Sequence, residues 1–261
     1  MQEVVWLASY PRSGNTWVRF LLYRYLHGPI ESTARINEVI PGLHGRGRLD
    51  HTRPGRTLVK THFAFAPGHP LSDRAKAVIH IRRHPKDVLL SGLNYHSLTG
   101  NSVPALKYAN AFIALKGDPV WRQMGFGTWE SHIESWLENP ALQGIARHWT
   151  TYERLKSDTP GELRAMLDFL GESIDEDRLA STVADCTLER LREFEDEEKS
   201  KGAPSLFPGS EAARSAGRRF INSGRTGQSL AHIDPGLDAQ FDAAFAAILA
   251  RRGYADSPSA G

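Results

Sequence analysis

With 261 residues, 40% hydrophobic composition and 32 basic against 30 acidic side chains, the chain is expected to form one α/β domain over residues 1–254, followed by a disordered tail, 255–261. A net charge of +2 argues against broad binding to nucleic acid or to a membrane, although the sequence pI is about 8.7, so basic residues must act locally. The lone Cys186 excludes an internal disulfide, no apolar run approaches the roughly 20 residues of a membrane span, and Met1-Gln2-Glu3 is not a basic signal-peptide start, so a cytoplasmic protein is expected.

Val4-Val5-Trp6-Leu7 is a short apolar run of β-branched and aromatic residues, the composition of a strand covered on both faces. Ser9, Ser13, Gly14, Asn15 and Thr16 then supply hydroxyls and an unhindered backbone, and Pro11 stiffens the entry. Val18, Leu21, Leu22 and Tyr25 recur at helical spacing, with Arg19 and Arg24 left for the other face, so a helix is expected to start near Gly14. Its unpaired N–H groups and positive dipole end make the loop an anion site. Laid over the phosphate-cradling pattern G-x-x-x-x-G-K-[ST], this stretch departs twice: Ser9 stands for the first Gly and Asn15 for the Lys. A P-loop kinase or nucleotide hydrolase needs that Lys and an acidic Mg²⁺ ligand. The later strands end instead in Lys60-Thr61-His62 and Arg82-Arg83-His84. With Arg12 inside the loop, the expectation is an anion cradle that works without metal; the plainer alternative is a strand-turn-helix whose polar loop only caps the helix.

Ile36, Val39 and Ile40 suggest one short helix, and Gly42 to Gly55 an irregular loop. Thr57 to His62 is a second strand, ending where open α/β sheets place their sites. By itself a histidine there is most often a hydrogen-bonded structural residue. Ala77 to Ile81 is a third strand, and Pro85 and Asp87 start the helix that follows it, giving a second strand-to-helix anion site. His80 and His84 share no face on a strand and its turn, which discounts them as a metal pair. Asn94 to Glu130 is interrupted by Gly and Pro, and its aromatics Phe112, Trp121, Phe126 and Trp129 either line a pocket or belong to a mobile surface loop. Trp129 to Leu137 is helical, Gly144 to Trp149 a fourth strand, and Tyr152 opens an amphipathic helix. Gly161–Phe169, Asp175–Ala184 and Leu188–Phe194 are three helices expected against the sheet edge, with Glu195 to Glu198 a solvated face. Lys199 to Gly217 has the composition of a mobile connection, and Pro235 to Arg252 closes the chain as a helix.

Four of these segments carry a family resemblance. Ser9-Tyr10-Pro11-Arg12-Ser13-Gly14-Asn15-Thr16-Trp17 resembles T-Y-P-K-S-G-T-x-W, the 5′-phosphosulfate loop of sulfotransferases that use 3′-phosphoadenosine 5′-phosphosulfate (PAPS), with Arg for Lys and Asn for Thr. Lys60-Thr61-His62 resembles their K-T-H, whose His is the catalytic base. Anchoring on Lys86-Asp87, the next segment resembles the 3′-phosphate motif R-N-x-K-D-V-x-x-S, with Arg83 and Ser91 in its Arg and Ser places. Tyr152-Glu153-Arg154-Leu155-Lys156 resembles Y-E-D-L-K, whose Tyr contacts the adenine.

The resemblance runs from Val4 to about Gly227 and implies a P-loop-like three-layer domain, a central parallel sheet flanked by helices. It implies transfer of the sulfuryl group of PAPS to a hydroxyl-bearing acceptor, leaving 3′-phosphoadenosine 5′-phosphate (PAP), with no metal. His62, Lys60 and Arg12 are the implied catalytic residues; Arg12, Ser13, Gly14, Asn15, Thr16, Trp17, Arg83, Ser91, Tyr152, Asn222, Ser223 and Gly224 are the implied nucleotide contacts. The main departure lies at Phe220 to Gly227, where the family carries F-x-R-K-G-x-x-G-D-W: Asn222-Ser223 replace the Arg-Lys pair and Ser229 the Trp. Arg218, Arg219 or Arg225 could restore that charge. Two rivals stay open, a P-loop small-molecule kinase and a PAP-sensing module without catalysis. Acceptor identity and oligomeric state are open as well.

Overall fold

The computed structural model describes residues 2–43, 55–66, 68–202, 205–209, 213 and 215–254. The tail expected at 255–261 and most of the loop expected between Gly42 and Gly55 lie outside the described residues. Strand β1 (Gln2–Ser9) is central, with β2 (Gly55–Thr61) on one side and β3 (Ala75–Arg82) on the other; β4 (Ala146–Thr151) lies beyond β3. All pairings are parallel. Because β1 has a neighbour on each side reached by crossovers in opposite senses, its carboxyl end is a switch point, where such sheets open a crevice.

Register decides what shares that crevice. Ala8 pairs with Thr61, Ser9 with Ile81, and Arg82 with Thr151. The residues that follow each strand, the loop from Tyr10, then His62, Arg83 and Tyr152, therefore emerge side by side on one edge. Motifs more than 50 positions apart meet because parallel strands end in step.

The alternation of side chains splits the sheet into two buried faces. Val5, Leu7, Leu58, Ile79 and Ile81 pack toward helix α1 (Asn15–His27), while Val4, Trp6, Val59 and Val78 pack toward Trp136 of helix α6 (Trp129–Leu137). Helices α7 (Tyr152–Ser157), α8 (Thr159–Phe169), α9 (Glu176–Asp185) and α10 (Leu188–Lys201) cover the α1 side. Of the three helices expected against the sheet edge, α8 packs on the edge strand β4, as does the short α7 before it, whereas α9 lies on α1. The two arginines expected on the outer face of α1 are both engaged: Arg19 is buried against Asn37 and the Ile40 carbonyl, and Arg24 pairs with Asp185 at 2.7 Å.

A second lobe follows β3. Helix α3 (Pro85–Leu98) starts at His84, whose side chain accepts from the Lys86 amide. Helix α4 (Ala105–Leu115) and the single turn α5 (Pro119–Trp121), which runs into a π turn over Arg122–Phe126, pack with α3, α6 and the final helix α11 (Leu237–Arg251). The stretch whose period Gly and Pro concealed is thus ordered. Phe112, Trp121, Phe126 and Trp129 are all at most 4% exposed. Among the described residues, no helix is long and apolar enough to cross a membrane.

The acidic run from Glu195 to Glu198 is only half solvated: Asp196 and Glu197 are exposed, but Glu195 and Glu198 are buried. Helix α10 continues through it, and Glu195 is fully buried, accepting from the Phe220 and Ile221 amides at 2.6 and 2.8 Å and pairing with Lys199. Glu198 accepts from the amide and hydroxyl of Thr33 at the start of helix α2 (Thr33–Val39).

Candidate active site

The loop after β1 turns on two left-handed residues, Arg12 at φ 66° and Gly14 at φ 100°. Only glycine suits the second, since a Cβ there would stand 2.8 Å from Tyr152 Cδ2. No side chain caps α1, so its first amides are left to the loop's concavity. The Ser13 hydroxyl is buried without a hydrogen-bond partner. Asn15 turns away from the loop and staples it to the strand, donating to the Leu7 carbonyl at 2.9 Å and to Ser9 Oγ at 3.2 Å. Of the expected loop ligands, Asn15 therefore offers its backbone, while Thr16 lines the adjoining cavity.

His62 is locked onto the head of this loop. Its Nδ1 lies 2.7 Å from the Ser9 carbonyl and 3.3 Å from Ser9 Oγ. A carbonyl can only accept, so Nδ1 carries the proton and Nε2 holds the lone pair of the neutral ring. Lys60, two residues earlier on β2, lines the same cavity beside Arg19. Burial, and then Arg19, depress its ammonium to about 7. Arg19 is itself lowered to about 10 by burial, and its guanidinium reaches the Ile40 carbonyl and Asn37.

Arg12 and Arg83 form a second cationic pair. Burial, and then the neighbouring Arg83, lower Arg12 to about 10. Arg12 donates from Nε to the Ser91 hydroxyl at 3.0 Å and from Nη2 to the Phe220 carbonyl at 3.0 Å, its guanidinium lying over the Phe220 ring. Arg83 donates to the carbonyls of Arg12 and Arg225 at 3.2 and 2.8 Å and stacks on Tyr152, while its buried Nε has no partner. Ser91 is thus tied to Arg12, not directly to Arg83. Tyr152 also meets Trp17 edge-on, and its hydroxyl donates to the Gly224 carbonyl at 3.2 Å. Trp17 itself donates to the Cys186 carbonyl at 2.7 Å. Cys186 is fully buried, and burial pushes its thiol up to about 12.

Residues 220–228 form a strap over this edge. Asp87, fully buried in α3, accepts from the Gly227 and Gln228 amides at 3.0 and 3.1 Å, and Glu195 holds the other end. Asn222, Ser223 and Gly224 line the cavity between these clasps. Of the three arginines expected to replace the missing Arg-Lys pair, Arg219 is committed to Asp196 at 2.6 Å, and Arg218 and Arg225 are exposed. Besides Arg12 on the Phe220 carbonyl and Arg83 on the Arg225 carbonyl, the strap is touched by Arg192 of α10, which donates to the Asn222 carbonyl at 2.7 Å. Replacing Glu195 with alanine removes the acceptor of two part-buried amides. The Phe220 and Ile221 amides are then expected to exchange at least about tenfold faster in hydrogen-exchange mass spectrometry. Unchanged exchange there would show that Glu195 does not hold the strap.

One cavity of about 1120 Å³ joins these groups and continues into the second lobe. That arm is walled by Phe126, Tyr95, Trp121 and Met124, and ends near a pair no sequence signal connected: His96 Nε2 lies 2.6 Å from Asp118, which also accepts from the Tyr108 hydroxyl at 2.7 Å. His96, the Tyr108 hydroxyl and the capped turn of α5 hold the Asp118 carboxyl below its ordinary value against its burial.

A family model described as the sulfotransferase domain matches residues 2–253. The chain belongs to this sulfotransferase family. Sulfotransferase 1A1 of Rattus norvegicus is 28% identical over 200 residues, 72% of this chain and 66% of the relative. Sulfotransferase 2B1 of Mus musculus is 26% identical over 255 residues, 92% of this chain and 70% of the relative. The chain thus spans just under two thirds of the length of the rat relative. Among solved structures, mouse sulfotransferase SULT7A1 complexed with PAP matches with a TM-score of 0.66 at 22% identity, over 97% of this chain and 89% of that one. Retinol dehydratase in complex with androsterone and inactive cofactor PAP matches with a TM-score of 0.66 at 17% identity, over 94% of this chain and 80% of that one. At such identities the likeness is one of fold, and the central parallel sheet flanked by helices is the fold that the sequence led us to expect. Arg192, Glu195 and Asp87 as strap anchors, Arg19 beside Lys60, and the His96–Asp118 pair are the residues that sequence reasoning missed.

Proposed function

We propose that this chain transfers the sulfuryl group of PAPS to a hydroxyl acceptor, in a cytoplasmic setting, with residues 1–254 acting as one domain. The observation that carries the reading is the contact of His62 Nδ1 with the Ser9 carbonyl, which holds a base with a defined tautomer at the head of an anion loop. The nucleotide fits the groups around it. Ser13 Oγ and Arg83 Nε are buried donors lacking partners, α1 lacks a side-chain cap, and the cations Arg12, Arg83, Lys60 and Arg19 crowd one another in pairs that a bound anion would relieve. In this reading Arg12, the loop amides from Ser13 to Thr16 and Lys60 hold the 5′ end. Arg83, Ser91 and the strap residues Asn222, Ser223 and Gly224 hold the 3′-phosphate, and Trp17 and Tyr152 flank the base.

PAPS supplies an activated sulfuryl group on a phosphate leaving group. His62 Nε2 accepts the acceptor's hydroxyl proton, and its Nδ1–H bond to Ser9 steadies the imidazolium formed. Lys60 and Arg12 meet the charge that grows on the transferred group and the leaving phosphate, and the apolar arm ending at His96 takes the acceptor. A radiolabelled PAPS transfer assay against alcohols, phenols and sugars tests the reading: labelled sulfate ester and PAP are expected. PAP binding without transfer would favour a sensing module, and Mg²⁺- and ATP-dependent phosphorylation a kinase.

Lys60 adds a pH signature. Its folded value near 7 lies below the ordinary lysine value, so at pH 8 the amine is mostly neutral in the free protein. A bound phosphate restores the ammonium, so PAP binding at pH 8 is expected to take up as much as about one proton. Calorimetry in two buffers of unlike ionisation enthalpy measures this uptake. Lys60→Met should abolish it, and an undiminished uptake in that variant would assign the proton elsewhere.

A further inference from the structure

Five large apolar side chains are exposed among the described residues, and four of them, Val103 (38%), Leu106 (44%), Val120 (49%) and Met124 (52%), belong to the second lobe. Exposed apolar residues scattered singly need no explanation. These are not scattered: Val103, Val120 and Met124 line the arm of the cavity together with Lys107, and Leu106 precedes that lysine in α4. Val103, Val120, Met124 and Lys107 thus share one opening. The charge around them is equally one-sided. A chain with 30 acidic residues in 261 has only one between Val88 and Trp129, and that one, Asp118, is fully buried on His96 and Tyr108. The rim's cations, Lys107 and Arg122, are exposed and stand in no ion pair among the described residues.

We propose that this rim docks on an anionic lipid surface, the aliphatic and thioether side chains entering the headgroup boundary while Lys107 and Arg122 meet the lipid phosphates. An overall charge of +2 does not oppose this, because surface attraction falls off within a Debye length and is set by the cations that face the membrane. The rim composition also favours lipid over a protein partner. Lysine is depleted at protein interfaces, and here Lys107 stands exposed beside apolar side chains with no exposed acid between Val88 and Trp129. What is left outside is aliphatic and thioether side chain beside cations in no ion pair, the pattern of an interfacial surface.

The test is sedimentation of the full chain with phosphatidylcholine vesicles, with and without phosphatidylglycerol. Wild type should bind the phosphatidylglycerol vesicles, and added sodium chloride should weaken that binding. Lys107→Glu with Arg122→Glu should lower partitioning by about fivefold or more for each cation lost, and Val120→Asp with Met124→Asp by at least about tenfold. Lys201→Glu, remote from the rim, should bind as wild type. All five positions are exposed, so loss of fold does not confound the comparison. No binding by wild type, or full binding by either rim double variant, would overturn the proposal and leave the rim to a protein partner. Sedimentation needs no PAPS, so it stands or falls separately from sulfuryl transfer.

Discussion

Alanine in place of His62 is expected to lower turnover by about 10²-fold or more while leaving PAP affinity within a few-fold of wild type, because proton removal from the acceptor is felt only in the transition state. The geometry makes the effect specific. Nδ1 is spent on the Ser9 carbonyl, so the only ring atom able to take a proton is Nε2, and alanine removes it outright. The same bond helps hold the loop, which is why PAP affinity must be measured beside turnover: a variant that lost both equally would mark His62 as a brace. His62→Asn, which retains a donor for Ser9, should keep the affinity and still lack the base. Near-normal turnover in either variant would remove His62 from the chemistry.

Arg83 governs the second large effect. Wild type should prefer PAP to adenosine 5′-monophosphate, and Arg83→Ala should lose about thirtyfold of that preference, or roughly 2 kcal/mol, the cost of a charge-assisted contact to a partly buried phosphate. Arg83 sits where β3 delivers it, 6% exposed, with Nε buried and unpaired and the ring of Tyr152 beneath its plane. Arg83→Lys should fail nearly as badly, since a lysine cannot reproduce the two-pronged geometry or the stacking. Arg83 also donates to the Arg225 carbonyl, so its loss loosens the strap. Loosening weakens both nucleotides, whereas the preference between them isolates the 3′-phosphate. Calorimetry with both nucleotides separates the two effects, and a variant that keeps the full preference would place 3′-phosphate recognition elsewhere, with Arg192 the next group to substitute.

The parts of the fold legible in the sequence are those coded locally. The run Val4 to Leu22 carries its strand, loop and helix in consecutive residues, and Pro85 with Asp87 marks the start of α3 in the same way. Because four parallel strands end in step, knowing the strand ends was enough to gather Arg12, His62, Arg83 and Tyr152 at one edge. What stayed hidden depends on partners far along the chain. Arg19 looked like the polar face of a surface helix, and only its contacts with Asn37 of α2 and the Ile40 carbonyl turn it inward. The acids after Phe194 suggested solvent, yet Leu191, Glu195 and Glu198 fall at the spacing of one helix face, a signal that charge outweighed. Asp118-Pro119 was a readable helix start, but nothing in the sequence ties Asp118 to His96, 22 positions before it.

The central claim is that this edge moves a sulfuryl group from PAPS to a hydroxyl oxygen. Its most direct test is the mass balance of a reaction with a phenol or alcohol taken from the active fraction of an acceptor panel, run beside the same compound capped as its methyl ether. PAP and sulfate ester should form in equal amounts from the hydroxyl compound, and neither should form from the ether. PAP released without ester, or released alike from both compounds, would contradict the account.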